Sequence, residues 1–482
     1  MALNYSEAHD PAKIVVSCVM DDKPKFHMQT WNWLLSLHAC GAIGRVKPVI
    51  HFLGTPPDEF LGILKSAGAE LCKIESFHSG TRETAFCNKL QQLVSPALQQ
   101  AEYVILSDAD IVFVEPPDTF ISGEHVRAKV VDVDNPDEQK LRALLHQTCF
   151  KDTEIDTPPD FRAGRRTHRF NCNGGLYILP KSAFQMIAEP WKKWALFCLQ
   201  QEEILGRSLH HSDQLGFMLA MLETNLPFLP LTSRENFPLH HTTNQYQDIP
   251  EQSVAAFHYH HYMDNHGRIA RGEIPWINTQ IDAANDHLAT GRRTWFSNEV
   301  FWNFRYQHDP DLGSGRGSRG KFLKHKQDLL RPFADNFRDA DIVEVGFGDL
   351  ETSRVLPFKN YLGIDASQEA VKIAAQKMPN WTFNTGLVDE LSTESADLVI
   401  CLDVLFHVPK KQDYENLISQ LIRVSRKSIL VSGHVKQEHA QNSGILFFHE
   451  PLMDTFKRMP GVSKVEAVGR YSDATLIHVE VD

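Results

Sequence analysis

Twice along this chain a strand-like apolar run stops at a cluster of acids or glycines. The first is YVILSDADIVFVEPP, Tyr103 to Pro117, where the run ends in Asp108 and Asp110 and a second apolar run follows. The second is DIVEVGFGDLETSR, Asp341 to Arg354, where a shorter run ends in Glu344-Val345-Gly346-Phe347-Gly348. Short apolar runs of this kind read as strands buried in an α/β sheet. Ligands of such sheets bind beyond the carboxyl ends of the strands. Two runs so far apart predict two sheets, each with its own site.

The flanking pattern agrees. KIVVSCV, KPVIHFLG and ELCKIE read as strands. MQTWNWLLSLHAC, DEFLGILKSAGAE and NKLQQLVSPALQQ read as helices between and after them. YVILSDADIVF reads as one strand bent at its acids, NCNGGLYILP as a strand and HSDQLGFMLAML as a helix. From Asp341 a second alternation begins: DIVEVG strand, TSRVLPF helix, YLGID strand, SQEAVKIAAQK helix, WTFNTG and ADLVICLDV strands, DYENLISQLIRVS helix, SILVSG strand. Alternation of this kind predicts mostly parallel sheets covered by helices. At 482 residues the chain is too long for one ordinary core. The expected domains are residues 1–290 and 291–482. The polar stretch 150–170 reads as a loop. The glycine-rich segment QHDPDLGSGRGSRGK, 307–321, reads either as a flexible linker or as the lead-in to the second domain.

Composition excludes some classes. A net charge of -12 argues against a general nucleic-acid binder. No apolar run is long enough for a transmembrane span, and MALNYSEAHDPAK lacks the basic and apolar regions of a secretory signal. The eight cysteines show no CxxC pair, which predicts reduced thiols in a cytoplasmic protein. Peripheral association with a membrane stays open.

The front acids suit a hard divalent cation, which takes oxygen ligands and neutralises a diphosphate. FHYHHY adds His258, His260 and His261, and imidazole is a good ligand for manganese-like ions. Strand alternation puts His258 and His260 on one face. The order NKL, VILSDADIVF, NCNGGLYIL, HSDQ, FHYHH resembles GT-A-fold glycosyltransferases of the glycogenin and lipopolysaccharide galactosyltransferase type, over residues 12–280. The resemblance implies that Asp108, Asp110 and His258 bind Mn2+ or Mg2+. It implies that Lys89, Asn171, Asn173, Gly174, Gly175 and Gln214 line the site of a nucleotide-sugar donor, expected to be UDP-linked, and that Asp213 is a candidate base. That family's histidine usually sits in His-x-x-Gly-x-x-Lys-Pro-Trp. Here HYHHYMDNHGRIARGEIPW is longer and lacks the lysine. The cation for the diphosphate therefore stays open, with Arg165, Arg166 and Arg169 as candidates.

In the back half, glycines let the backbone approach a ligand, and YLGID ends a second strand in Asp365, the usual place of a ribose-binding acid. The pair also fits a dinucleotide dehydrogenase, though the third glycine of that pattern is absent. With CLDVLFHVP, the segment resembles class I S-adenosylmethionine-dependent methyltransferases over residues 296–435. The resemblance implies that Glu344, Gly346, Gly348, Asp365 and Asp403 bind S-adenosylmethionine and that His407 is a candidate base, with a purely structural histidine as the other reading. Leu350 stands where that family has a third small residue.

The expectation is a bifunctional α/β enzyme: an N-terminal GT-A unit adding a sugar to a glycan acceptor, and a C-terminal Rossmann-like unit methylating a glycan hydroxyl. The alternative is a methyltransferase with a non-catalytic sugar-binding front domain.

Overall fold

The computed structural model describes residues 13–77, 83–158, 164–240, 253–437 and 445–482. The expected N-terminal segment therefore lies almost wholly outside the described residues, as do residues 159–163 of the expected loop 150–170. The chain divides into two compact units. One comprises residues up to 264 with 268–288, the other 265–267 with 289–482. Both are Rossmann-like α/β, the fold class the sequence predicts.

The front unit holds nine described strands: β1 (Ile14–Met20), β2 (Lys47–Phe52), β3 (Glu70–Lys73), β4 (Tyr103–Ser107), β5 (Ile111–Phe113), β6 (Arg127–Val130), β7 (Cys172–Pro180), β8 (Phe237–Pro238) and β9 (Ala256–His258). Six of them form one sheet in the order β3-β2-β1-β4-β7-β6. β3, β2, β1 and β4 run parallel, and β7 pairs antiparallel with β4 and β6. β5, β9 and β8 form a separate small sheet. The core beneath β7 is an aromatic cluster of Tyr177, Trp191 and Phe217, with ring centroids 4.7–4.9 Å apart. Trp191 and Phe217 lie on the helices Lys181–Leu199 and Ser212–Thr224. Those helices touch so closely that a Cβ on Gly216 would lie 2.7 Å from the backbone nitrogen of Ala195.

The back unit is one seven-stranded sheet: β10 (Asp341–Val345), β11 (Asn360–Asp365), β12 (Thr382–Thr385), β13 (Ala396–Cys401), β14 (Ser425–Gly433), β15 (Val462–Tyr471) and β16 (Ala474–Val481). Its order is β12-β11-β10-β13-β14-β16-β15, parallel through β14 and antiparallel beyond. β10 is flanked by β11 on one side and β13 on the other, so the chain reverses direction across the sheet at β10. A crevice opens at such a switch point.

Four expectations need correction. NKLQQLVSPALQQ is not an α-helix: residues 83–94 form 3₁₀ turns, and turns follow from Pro96. YVILSDADIVF is two strands in two sheets, because β5 leaves β4 to pair with β9. TSRVLPF forms turns: Leu350 has φ 63°, which breaks a right-handed helix at its start, and Pro357 lacks the N–H to continue one. His260 is not in a strand, since β9 stops at His258 and His260 has φ 54°. Its ring turns back to stack on His258 at 3.7 Å. Among the described residues no helix is long and apolar enough to cross a membrane.

The contact at Gly216 is testable. Gly216→Ala should force the two helices apart and cost about 1–3 kcal/mol by overpacking, read as a lower urea midpoint at unchanged m-value. An unshifted midpoint would show that the interface yields freely.

Candidate active sites

The front site forms where β4 and β9 end and β5 and β7 begin. Asp108 follows β4, and its N–H bonds Gly175 O at 2.9 Å. Ile111 pairs with His258 across β5 and β9, and Tyr259 N–H bonds Asp110 O at 3.0 Å. This register carries His258 to the acids. One ligand atom from each of Asp108, Asp110 and His258 lies within 4.8 Å of the others. Asp110 Oδ1 stands 3.3 Å from His258 Nε2, yet Asp110 Oδ1 and His258 Nδ1 are buried without a hydrogen bond. Burial works against the Asp110 charge, but His258, with help from His260 and Lys25, holds its carboxyl below the usual carboxylate range. Two carboxylates and an imidazole with unused lone pairs are a donor set that fits Mn2+ or Mg2+.

Lys89 joins this group to the helix Ser212–Thr224. Its Nζ donates to Asp108 Oδ1 at 2.7 Å and to Gly174 O at 3.0 Å, and faces Asp213 Oδ2 at 3.3 Å. Burial opposes its charge, but Asp108 and Asp213 push its pKa up, so it stays cationic. Burial also raises Asp213, against the pull of Lys89. Trp191 Nε1 donates to Asp213 O at 2.7 Å, tying the site to the aromatic core.

The paired glycines make room for these groups. A Cβ at Gly174 would lie 2.8 Å from Lys89 Nζ and 3.3 Å from both Asp213 Oδ2 and Gln214 Nε2. A Cβ at Gly175 would lie 2.5 Å from the His258 ring. Asn173 Oδ1 accepts from Gly175 N at 2.8 Å, which fixes this turn. Asn171 is fully buried, and its Nδ2 donates to Asn135 O and Thr167 Oγ1, so it braces the strand entry. The three arginines are each paired with an acid, Arg165 with Asp134, Arg166 with Glu138 and Arg169 with Asp156.

In the back unit the glycine loop follows β10. Gly346 and Gly348 have φ 72° and 61°, conformations that side chains resist. Gly348 N donates to Asp365 Oδ2 at 2.9 Å and Ser367 N to Asp365 Oδ1 at 2.8 Å. Burial pushes the Asp365 carboxyl up to about 6, against those two bonds. Glu344 is buried, accepts from Tyr361 OH at 2.6 Å, and is raised by burial.

Asp403 accepts from Lys326 Nζ at 2.6 Å, Tyr471 OH at 2.7 Å and Ser432 Oγ at 2.9 Å. Burial opposes this charge, but Lys326 and the two hydroxyls keep its pKa low. His407 is buried edge-on to Trp302, and its Nδ1 meets Ile445 O at 2.7 Å. The carbonyl places the proton on Nδ1. Burial pushes the ring down to about 4, so it is neutral at pH 7.

The glycine-rich segment before the second sheet is part of the back unit. Ser314 Oγ donates to Asp349 Oδ1 at 2.8 Å and accepts from Asp349 N at 2.9 Å. Arg319 pairs with Asp349, and Tyr306 OH lies 3.1 Å from Ser314 Oγ. A Cβ at Gly348 would lie 2.3 Å from Ser314 Oγ. Tyr306, Ser314, Arg319 and Lys326 carry no motif of their own. Ser314 and Arg319 fall within the glycine-spaced stretch 307–321, and Tyr306 and Lys326 flank it.

Residues 342–428 match the family model described as a methyltransferase domain, so the back unit contains a methyltransferase domain. Curated proteins give no match to the chain. Among solved structures, the magnesium protoporphyrin IX methyltransferase ChlM of Synechocystis PCC 6803, with bound SAH, is 19% identical at TM-score 0.30, covering 40% of this chain and 99% of its own. The glycosyltransferase GlyE of Streptococcus pneumoniae TIGR4 is 13% identical at TM-score 0.37, covering 84% of this chain and 88% of its own. Scores of this size leave the functional argument to the residues.

Crowding at Gly175 predicts that Gly175→Ala displaces His258 and weakens Mn2+ binding tenfold or more in a spin-resonance titration. Gly62→Ala, with open space around its Cβ, serves as control. Equal affinities in the two variants would remove His258 from the ion's ligands.

Proposed function

We propose that the chain is a two-site transferase acting on glycans. The front unit, read as a GT-A glycosyltransferase, transfers a sugar from a UDP-linked donor to an acceptor hydroxyl. The back unit methylates a glycan hydroxyl with S-adenosylmethionine. The observation that carries the front reading is the convergence of Asp108, Asp110 and His258 beside a buried Lys89–Asp213 pair.

A bound divalent cation would neutralise the diphosphate leaving group. The chain's own residues do the rest. Asp108, Asp110 and His258 would hold the ion. Lys89 fixes one oxygen of Asp108 and holds Asp213 in the pocket wall. Gly174 and Gly175 let Lys89, Asp213, Gln214 and the His258 ring close in on this turn, where a Cβ would collide with them. In the back unit the backbone at Gly346–Gly348 and the Asp365 carboxylate suit a nucleoside with vicinal hydroxyls. His407, uncharged and with its proton held on Nδ1, offers Nε2 as an acceptor for a hydroxyl proton.

Calorimetry tests the two sites separately. UDP should bind in the presence of Mn2+ and lose tenfold or more affinity in Asp110→Ala, whereas S-adenosylmethionine should bind both proteins equally without metal. Nucleotide binding that ignores Asp110→Ala would sink the front reading. Cofactor binding with no response to UDP or GDP would favour a methyltransferase with a non-catalytic front unit.

The raised Asp365 gives a pH signature. Its carboxylate is ionised above about 6 and protonated below. A protonated acid loses acceptor capacity for ribose hydroxyls, so cofactor affinity should fall as pH drops from 7 to 5. Asp365→Asn should bind weakly at both values, with the pH step gone. A step that survives in Asp365→Asn would belong to another group.

A further inference from the structure

The front site has a second layer outside the Lys89–Asp213 pair. Lys89 lies in the 3₁₀ turns of residues 83–94, where residues three apart eclipse. Phe86 is three residues before it and so stands on the same side of that element. Asp213 lies in the first turn of the helix Ser212–Thr224, and His210, three residues earlier, lies at the end of the 3₁₀ stretch Gly206–His211 that leads into it. The two elements therefore meet at two levels. Inside, Lys89 faces Asp213 at 3.3 Å. Outside, the Phe86 and His210 rings meet at 5.7 Å.

The outer pair is built and open. Phe86 is 47% exposed, and among the described residues it is the one aromatic in the group of exposed large apolar side chains. His210 is half-buried, its Nδ1 fixed against Arg207 O. Its ring lies 3.8 Å from that of His211, which is itself held by Asn135. Scattered aliphatic residues on a surface need no explanation. A phenyl ring left in water one turn above a buried charge pair, with a braced imidazole beside it, does.

We infer that Phe86 and His210 form the platform for the acceptor sugar of the front site. The inference rests on the glycosyltransferase reading above. The aromatic face suits the apolar C–H face of a pyranose ring, whose hydroxyls then point down toward Asp213 and Gln214. The ligand class is thus a glycoside with one C–H-rich face, not a peptide or lipid hydroxyl.

The test uses the full chain and simple probes. Methyl α- and β-glycosides of glucose, galactose, mannose and N-acetylglucosamine are titrated by saturation-transfer resonance in the presence of Mg2+ and UDP. UDP binding is followed by calorimetry in parallel. At least one glycoside should bind the unaltered protein. Phe86→Ala should weaken it tenfold or more with UDP affinity unchanged, and Phe86→Trp should keep it. Three results would overturn the platform: no glycoside binding to a protein that binds metal-UDP, glycoside binding that survives Phe86→Ala, or an equal loss of UDP in Phe86→Ala, which would make the ring a nucleobase platform. If the unaltered protein binds no nucleotide with metal, the underlying glycosyltransferase reading fails instead, and that result is visible before any variant is made.

Discussion

The pairing of Ile111 with His258 is the contact on which the front site depends. β4 delivers Asp108 in one sheet, and β5 carries the chain into another. Only the short β5–β9 ladder, with Tyr259 N–H on Asp110 O, brings a histidine from late in the sequence to acids from early in it. A slip of one residue would turn His258 to the opposite face and replace it with Phe257 or Tyr259. Both of those side chains are fully buried where they are, so the core and the site enforce one register together.

The back unit solves the same problem by a different route. Its acid and its glycine loop belong to adjacent parallel strands, so no long-range ladder is needed. Asp365 is held by two backbone N–H groups, one from the loop after β10 and one from the start of the next helix. The segment around Ser314 adds a third support by packing on Gly348 and Asp349. The back unit's glycine loop is thus supported by residues that precede the sheet's first strand.

The strands and most helices are legible in the sequence because apolar runs and 3.6-residue spacing report burial directly. Elements set by local backbone conformation are less so. The turns after Gly348 follow from a left-handed Leu350, and the fold of His260 onto His258 from another positive φ, neither of which composition announces. β15 escapes notice because VSKVEAVGRY is largely exposed and lacks an apolar run, whereas its partner β16, ATLIHVEV, is a mostly buried run. In the candidate sites, acids and glycines at strand ends stand out. Partners such as Lys326, Tyr471 and Ser432 around Asp403 do not, because their proximity is created only by the sheet order.

The buried charges of the front site do not balance. Three carboxylates, Asp108, Asp110 and Asp213, share the site with the Lys89 ammonium, which pairs with two of them. Three negative charges against one positive leave a deficit that a divalent ion would offset. A monovalent ion would leave the site negative and repel an incoming diphosphate. Selectivity among cations can therefore arise here from electroneutrality, before any preference for size or coordination number comes into play.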